Sequence, residues 1–188
     1  IETTRTDDTR TTCRYRHPDG LTVTAEVTAY PAYPALRWVL YFENTGSTDT
    51  KQIREMHDCH LVTEGWNKRY APKPANLVAA ENCAFVYRHI GSNWARDEYN
   101  AYPERLAPGD TRAYENSTGR SCEGLAPYFE VGDGERGLLL AIGWTGHWSA
   151  RFAMDSEGVL TVDAGLPDAD FHLKPGEKVR TASMVILP

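Results

Sequence analysis

Polar and apolar residues alternate along much of this chain with a period of two. In residues 21–29, Leu21, Val23, Ala25, Val27 and Ala29 are separated by Thr22, Thr24, Glu26 and Thr28, the pattern of a strand with one buried face. Ahead of it, residues 11–17 carry Cys13 and Tyr15 in alternation. His17, Pro18, Asp19 and Gly20 supply the residues that close a tight reversal, which predicts a hairpin. Residues 35–43 are rich in aromatic and β-favouring side chains, and the turn residues Asn44 to Ser47 lead into residues 51–62; these two runs read as a second hairpin. Residues 63–82 read as a long connection with a short helical turn over 75–81, and residues 83–89 resume the strand pattern before a loop over 91–102.

Leu106-Ala107-Pro108-Gly109-Asp110 and Leu173-Lys174-Pro175-Gly176-Glu177 are near copies. Each places Pro-Gly at the centre of a type II turn and each launches an alternating run. Between them lies a meander over 126–131, 137–144, 147–153 and 159–164, and residues 178–187 close the chain. No long segment has the apolar spacing of an amphipathic helix, so more than ten strands have only another sheet to cover them. The expected fold is all-β: one antiparallel β-sandwich domain over residues 1–188, a super-sandwich with little helix.

The chain has 188 residues and a formal charge of −6, with no basic cluster able to neutralise a run of phosphates, which argues against nucleic acid as a partner. The longest central apolar run, Leu138 to Ile142, is far shorter than the roughly 20 residues of a membrane helix, so no membrane partner is expected. No hydrophobic signal core stands at Ile1; any export signal has been removed or was never present. Cys13, Cys59, Cys83 and Cys122 lack Cys-x-x-Cys spacing and read as buried thiols or structural disulfides of unassigned pairing. Asn116-Ser117-Thr118 matches a glycosylation acceptor.

Candidate chemistry gathers in three places. The 94–100 loop packs Trp94, Arg96, Asp97, Glu98, Tyr99 and Asn100 together, a mixture suited to a sugar, whose C–H faces meet rings while its hydroxyls meet charged groups; the competing reading is that the rings anchor the loop. Trp144, His147 and Trp148 flank Gly146 at a strand junction and form a second sugar platform, against the alternative that the indoles are core. Arg120 lies in a Gly-bounded loop, able to bind paired hydroxyls or to clamp a neighbouring loop. Trp38 and Trp66 are assigned to the core. His57, Asp58, Cys59 and His60 hold metal-ligand chemistry, but on a strand His57 and His60 face opposite sides, so no metal or other cofactor is expected. Asp97 and Glu98 are neighbours and diverge, unlike the facing carboxyls of a glycosidase, which stand about 5–9.5 Å apart; no catalytic residue is assigned.

The order of these landmarks resembles the N-terminal sandwich of bacterial α-galactosidases of glycoside hydrolase family 36, the melibiase group. The resemblance rests on Phe42-Glu43-Asn44-Thr45-Gly46-Ser47, the Asp97 loop followed by Leu106-Ala107-Pro108-Gly109, Gly119-Arg120-Ser121 before Pro127-Tyr128-Phe129, residues 141–148, and the closing Leu173-Lys174-Pro175-Gly176-Glu177. It covers most of the chain in order. Cys122 and His147 depart from the residues common in the family, which leaves the preferred terminal sugar open.

The resemblance implies a non-catalytic N-terminal lobe that packs on a (β/α)₈ catalytic barrel of the same polypeptide, absent from these 188 residues, and lines its sugar pocket. The implied substrate-binding residues are Trp94, Asp97, Arg120, Trp144, His147 and Trp148. The implied partners are the barrel and a galactoside-like glycan, with room for an oligomer. The implied location is extracellular or secreted, with the cytoplasm left open. The rival readings are a self-sufficient carbohydrate-binding module and a cell-surface interaction domain. A lobe that waits for a barrel should show a contiguous uncovered apolar patch.

Overall fold

A computed structural model describes residues 1–66, 83–134 and 136–188. Four strands, β1 (Glu2–Arg5), β2 (Arg10–Arg16), β3 (Leu21–Tyr30) and β4 (Ala35–Asn44), run as an antiparallel meander. After β5 (Ile53–Thr63) come β6 (Ala84–Ile90), β7 (Ala101–Leu106), β8 (Thr111–Asn116), β9 (Leu125–Gly132) and β10 (Gly137–Gly143). Strands β11 (Trp148–Met154), β12 (Leu160–Phe171) and β13 (Lys178–Leu187) complete the described set.

They form two antiparallel sheets, one of nine strands in the order β1-β2-β3-β4-β13-β10-β9-β6-β7 and one of four in the order β5-β12-β11-β8. The all-β sandwich is therefore the observed fold. The β2–β3 hairpin forms as its pattern dictates, with Arg16 opposite Thr22 across the turn. Both Pro-Gly turns launch strands, and Gly109 and Gly176 hold φ of 86° and 80°, the left-handed backbone that a type II turn needs at its third position.

The expected hairpin of residues 35–43 with 51–62 is not there. Strand β4 pairs with β3 and β13, whereas β5 belongs to the other sheet and pairs with β12. Asn44 explains the crossing. It is buried, its amide donates to the Thr48 and Leu173 carbonyls at 2.8 Å each, and its Oδ1 accepts from the Gly46 amide at 2.9 Å. The side chain thus ties the departing chain to the Leu173 turn rather than letting it fold back along β4. The helical turn expected over 75–81 lies outside the described residues. Strands β1 and β7 carry too little alternation to announce themselves; β7 holds Pro103 and lies at a sheet edge, where a missing ladder donor is tolerated.

The core fills the space between the smaller sheet and the β4-to-β7 part of the larger one. Phe129 lies 4.9 Å from Tyr114, 5.3 Å from Phe152 and 5.9 Å from Trp148, ring centroid to centroid, with Leu106, Leu140, Met154, Leu160 and Met184 fully buried around them. Each such side chain contributes about 1.5–3 kcal/mol on burial. Strands β1 to β3 add no apolar side chain to this core among the described residues. Their register places Tyr15, Val23 and Phe42 in one row and Cys13, Ala25 and Leu40 in the next. Val27 and Trp38 continue the same face, and the Trp38 indole donates to the Asp58 carbonyl of the facing sheet at 2.7 Å. A three-strand extension with a half-buried apolar face thus projects past the second sheet.

Cys13, Cys59 and Cys122 are free thiols. Burial pushes the Cys59 thiol up to about 11, with the Asp163 and Asp58 charges adding to the rise, so it stays protonated and unreactive at neutral pH. Asn116 is 3% exposed and its amide donates to the carbonyls of Ser121, Glu123 and Leu125, so the apparent glycosylation acceptor is a sealed structural residue in the folded chain.

Candidate functional site

Three loops meet at one end of the sandwich. The 91–100 loop joins β6 to β7, the 117–124 loop joins β8 to β9, and the 144–147 turn carries the chain from β10 in one sheet to β11 in the other. Register fixes their common end: Ile90 pairs with Leu125, and Asn116 with Trp148. The first two loops are also bonded to each other, Ser92 N to Cys122 O at 2.6 Å and Gly124 N to Ser92 O at 3.1 Å. Contact is so close at Gly91 that a Cβ would lie 1.9 Å from the Cys122 carbonyl oxygen.

The first loop presents Trp94. Its indole is 90% exposed, and its backbone holds φ of 62°. A non-glycine residue pays of order 1–3 kcal/mol for such a conformation, which persists only where the surroundings impose it. Glu98 imposes it here: its Oε1 accepts from the amides of Asn93 at 2.8 Å and Trp94 at 2.5 Å, pinning the loop around a carboxylate. Asp97 sits beside this pin, and its Oδ1 accepts from the Asn93 side-chain Nδ2 at 3.4 Å. Trp94 is therefore not the loop's anchor; it is the group that the loop displays.

In the second loop Arg120 forks onto Glu123, Nε to Oε2 at 3.0 Å and an Nη to Oε1 at 2.7 Å. The hydrogen bond raises the Arg120 pKa and lowers that of Glu123. Arg120 thus clamps its own loop while remaining exposed.

The third group separates. Trp148 has no exposed surface, because β11 turns it into the aromatic cluster, and a sealed indole offers no face to a sugar. This corrects the platform expected from Trp148. Its Nε1 instead donates to the Ser121 carbonyl at 2.8 Å and supports the Arg120 loop from beneath. Trp144 and His147 remain at the surface side and line a groove of about 380 Å³ with Met56, Leu166, Asp168 and Phe171. His147 Nε2 lies 2.7 Å from Glu115 Oε1 and its Nδ1 meets Asp168 Oδ2. Partial burial lowers the His147 pKa, but the bonds to Asp168 and Glu115 outweigh it and hold the ring above the ordinary histidine value.

Sequence reasoning did not find Glu115 or Asp168, and it placed Glu98 in the loop without its pinning role. Glu115 and Asp168 stand 32 and 21 residues from His147, so only the strand register brings them together. The metal-ligand reading of residues 57–60 also changes in detail. A bulge at Asp58, where Cys59 pairs with Ala164 and His57 with Gly165, puts His57 and His60 on the same face, Nδ1 atoms 3.5 and 2.6 Å from Asp163 Oδ1. Asp58 and Cys59 turn inward instead. Among the described residues, no group of three His, Cys, Asp or Glu is placed to hold a metal ion. Among them too, no helix is long and apolar enough to cross a membrane.

No protein-family model matches the chain, and no curated protein matches it in sequence. Solved structures do match in fold. The sandwich recurs within α-galactosidases. An α-galactosidase from Lactobacillus brevis superposes with a TM-score of 0.74 at 14% identity, over 99% of this chain and 24% of its own. The GH36 α-galactosidase AgaA from Geobacillus stearothermophilus gives 0.69 at 19% identity, over 95% and 23%. The galactosidase domain of the α-galactosidase–sucrose kinase AgaSK gives 0.72 at 15% identity, over 95% and 23%. The chain thus spans about a quarter of the length of these proteins. AgaA variants have been solved with stachyose and with raffinose.

Proposed function

We propose that this chain is the non-catalytic N-terminal β-sandwich of an α-galactosidase-like glycoside hydrolase, packing on a (β/α)₈ catalytic barrel of the same polypeptide and walling its sugar pocket with the 91–100, 117–124 and 144–147 loops. The observation that carries it is the fold match, which takes in nearly all of this chain and about a quarter of each α-galactosidase. Two features of the molecule support it. Trp94 is held outward at backbone cost, as a residue that completes a site on another body would be. Among the described residues, β2 and β3 contribute no fully buried apolar side chain to the core, and their apolar face stays half-buried, as a surface awaiting a further domain would. In this role Trp94 and Trp144 cover sugar C–H faces, and Asp97, Arg120 and His147 hold the loop geometry and meet hydroxyls. An extracellular or secreted location belongs to the same reading.

The test is turnover of a nitrophenyl α-galactoside. The 188 residues alone should give none, and the polypeptide that includes the segment encoded after Pro188 should give it. Turnover by the 188 residues, or a following segment without α-galactosidase activity, overturns the proposal.

A further inference from the structure

The groove behind the 144–147 turn is built by irregular backbone. In β12, Leu166 pairs with Met56 and Asp170 with Arg54, so Pro167, Asp168 and Ala169 bulge opposite the single residue Glu55, which takes φ of 50°. In β13, Arg180 pairs with Tyr41 and Ser183 with Val39, so Thr181 and Ala182 bulge opposite Leu40. The two bulges belong to different sheets, and residues of both line the groove. Bulges re-aim side chains and recur beside binding sites. Here they open a concavity of about 380 Å³, inside the range of about 300–1,000 Å³ usual for small-molecule sites.

The lining has two chemistries. Met56, Leu166, Phe171 and Val179 are apolar and Trp144 is aromatic, whereas His147, Asp168, Asp170, Arg180 and Thr181 are polar, one Asp168 oxygen meeting His147. Arg180 is exposed, enters no ion pair within 4.0 Å among the described residues, and makes only a 3.4 Å bond to the Thr181 carbonyl. A largely apolar cavity with a few polar groups at its edge matches a hexopyranose, which needs a ring for its C–H face, a carboxylate to accept from hydroxyls and a planar cation to donate to an adjacent pair.

We propose that this groove is a sugar-binding site of the sandwich itself, taking one hexopyranose unit, with Trp144 against the ring and Arg180 and Asp168 on its hydroxyls. It extends the carbohydrate reading above but needs no catalytic barrel, so the two fail separately: loss of Arg180 and Asp168, which that reading does not use, leaves turnover by the longer polypeptide in place.

The experiment is a titration of the isotope-labelled 188-residue chain with methyl α-galactoside and methyl α-glucoside to about 20 mM, enough to saturate a site with a Kd of about 1 mM. The Trp144 indole and Phe171 ring signals should move and saturate, and Arg180→Gln and Asp168→Asn, both at exposed positions, should each weaken binding about tenfold. Trp144→Phe tests the stacking ring with less loss of volume than alanine, and Trp94→Ala should leave this binding unchanged. The proposal is overturned if neither sugar moves the groove signals, if the shifts follow Trp94 instead, or if cyclohexanol saturates the groove and the sugars do not.

Discussion

The indole of Trp148 donates to the backbone carbonyl of Ser121 at 2.8 Å, so a ring at the centre of the core sets the position of a loop at the rim. Trp148→Phe keeps most of the apolar volume and removes the donor. The expected cost is about 1–3 kcal/mol, from the lost indole hydrogen bond, which leaves the Ser121 carbonyl only the 3.4 Å bond from Asn116, and from a small cavity, read in a urea melt. Amide exchange should quicken at Glu123 and Gly124 before it does in β9.

His147 meets Glu115 through one ring nitrogen and Asp168 through the other, and both bonds are fully made only when each nitrogen carries a proton. Its folded pKa is raised above the unfolded value of about 6.5. The stabilisation is therefore complete below about 6.5 and is lost as pH rises through the higher folded value. The variant carrying Glu115→Gln and Asp168→Asn should lower the titration midpoint of the ring, followed by NMR, and flatten this part of the stability profile.

Asp58 carries the opposite sign. It is 4% exposed, and among the described residues no donor makes a well-formed hydrogen bond to either oxygen; burial raises its pKa to about 6, and the weak pull of the nearby Thr181 hydroxyl, Ala182 amide and His57 charge offsets only part of the rise. An acid with a raised folded pKa costs stability once ionised, so the cost grows between about pH 4 and 6 and stays constant above. Asp58→Asn should raise the unfolding free energy at pH 8 by up to about 3 kcal/mol and by much less at pH 4, in denaturant melts at the two values.

Gly91 and Gly165 sit where no side chain fits, a Cβ at Gly165 lying 2.1 Å from the Met56 carbonyl oxygen. Gly91→Ala should unfasten the 91–100 loop from the 117–124 loop, and Gly165→Ala should disrupt the β5–β12 pairing, each costing about 2 kcal/mol or more in thermal unfolding. Trp94→Ala, at a fully solvated side chain, should change stability by no more than about 0.5 kcal/mol.

The alternation of β3 was plain because every second residue faces water or a partner layer, and the Pro-Gly turns were plain because their backbone angles demand those residues. Which strands share a sheet was not. The run from Asn44 to Ser47 looks like a hairpin turn, and only the contacts of Asn44 with Thr48 and Leu173 make it a crossing. Trp148 and Trp94 show the same limit at the site: both are tryptophans beside loops, and strand register buries one while a carboxylate pin expels the other. His57 and His60 share a face because one inserted residue reverses the alternation, which a strict period of two conceals.

Strand β13 lies between β4 and β10 in the larger sheet. The four strands synthesised first and the β6, β7, β9 and β10 group are therefore separate half-sheets until residues 178–187 have left the ribosome. Until that moment each half offers an unpaired ladder of amides and carbonyls, which makes premature termination ahead of Lys178 a route to aggregation rather than to a smaller working domain.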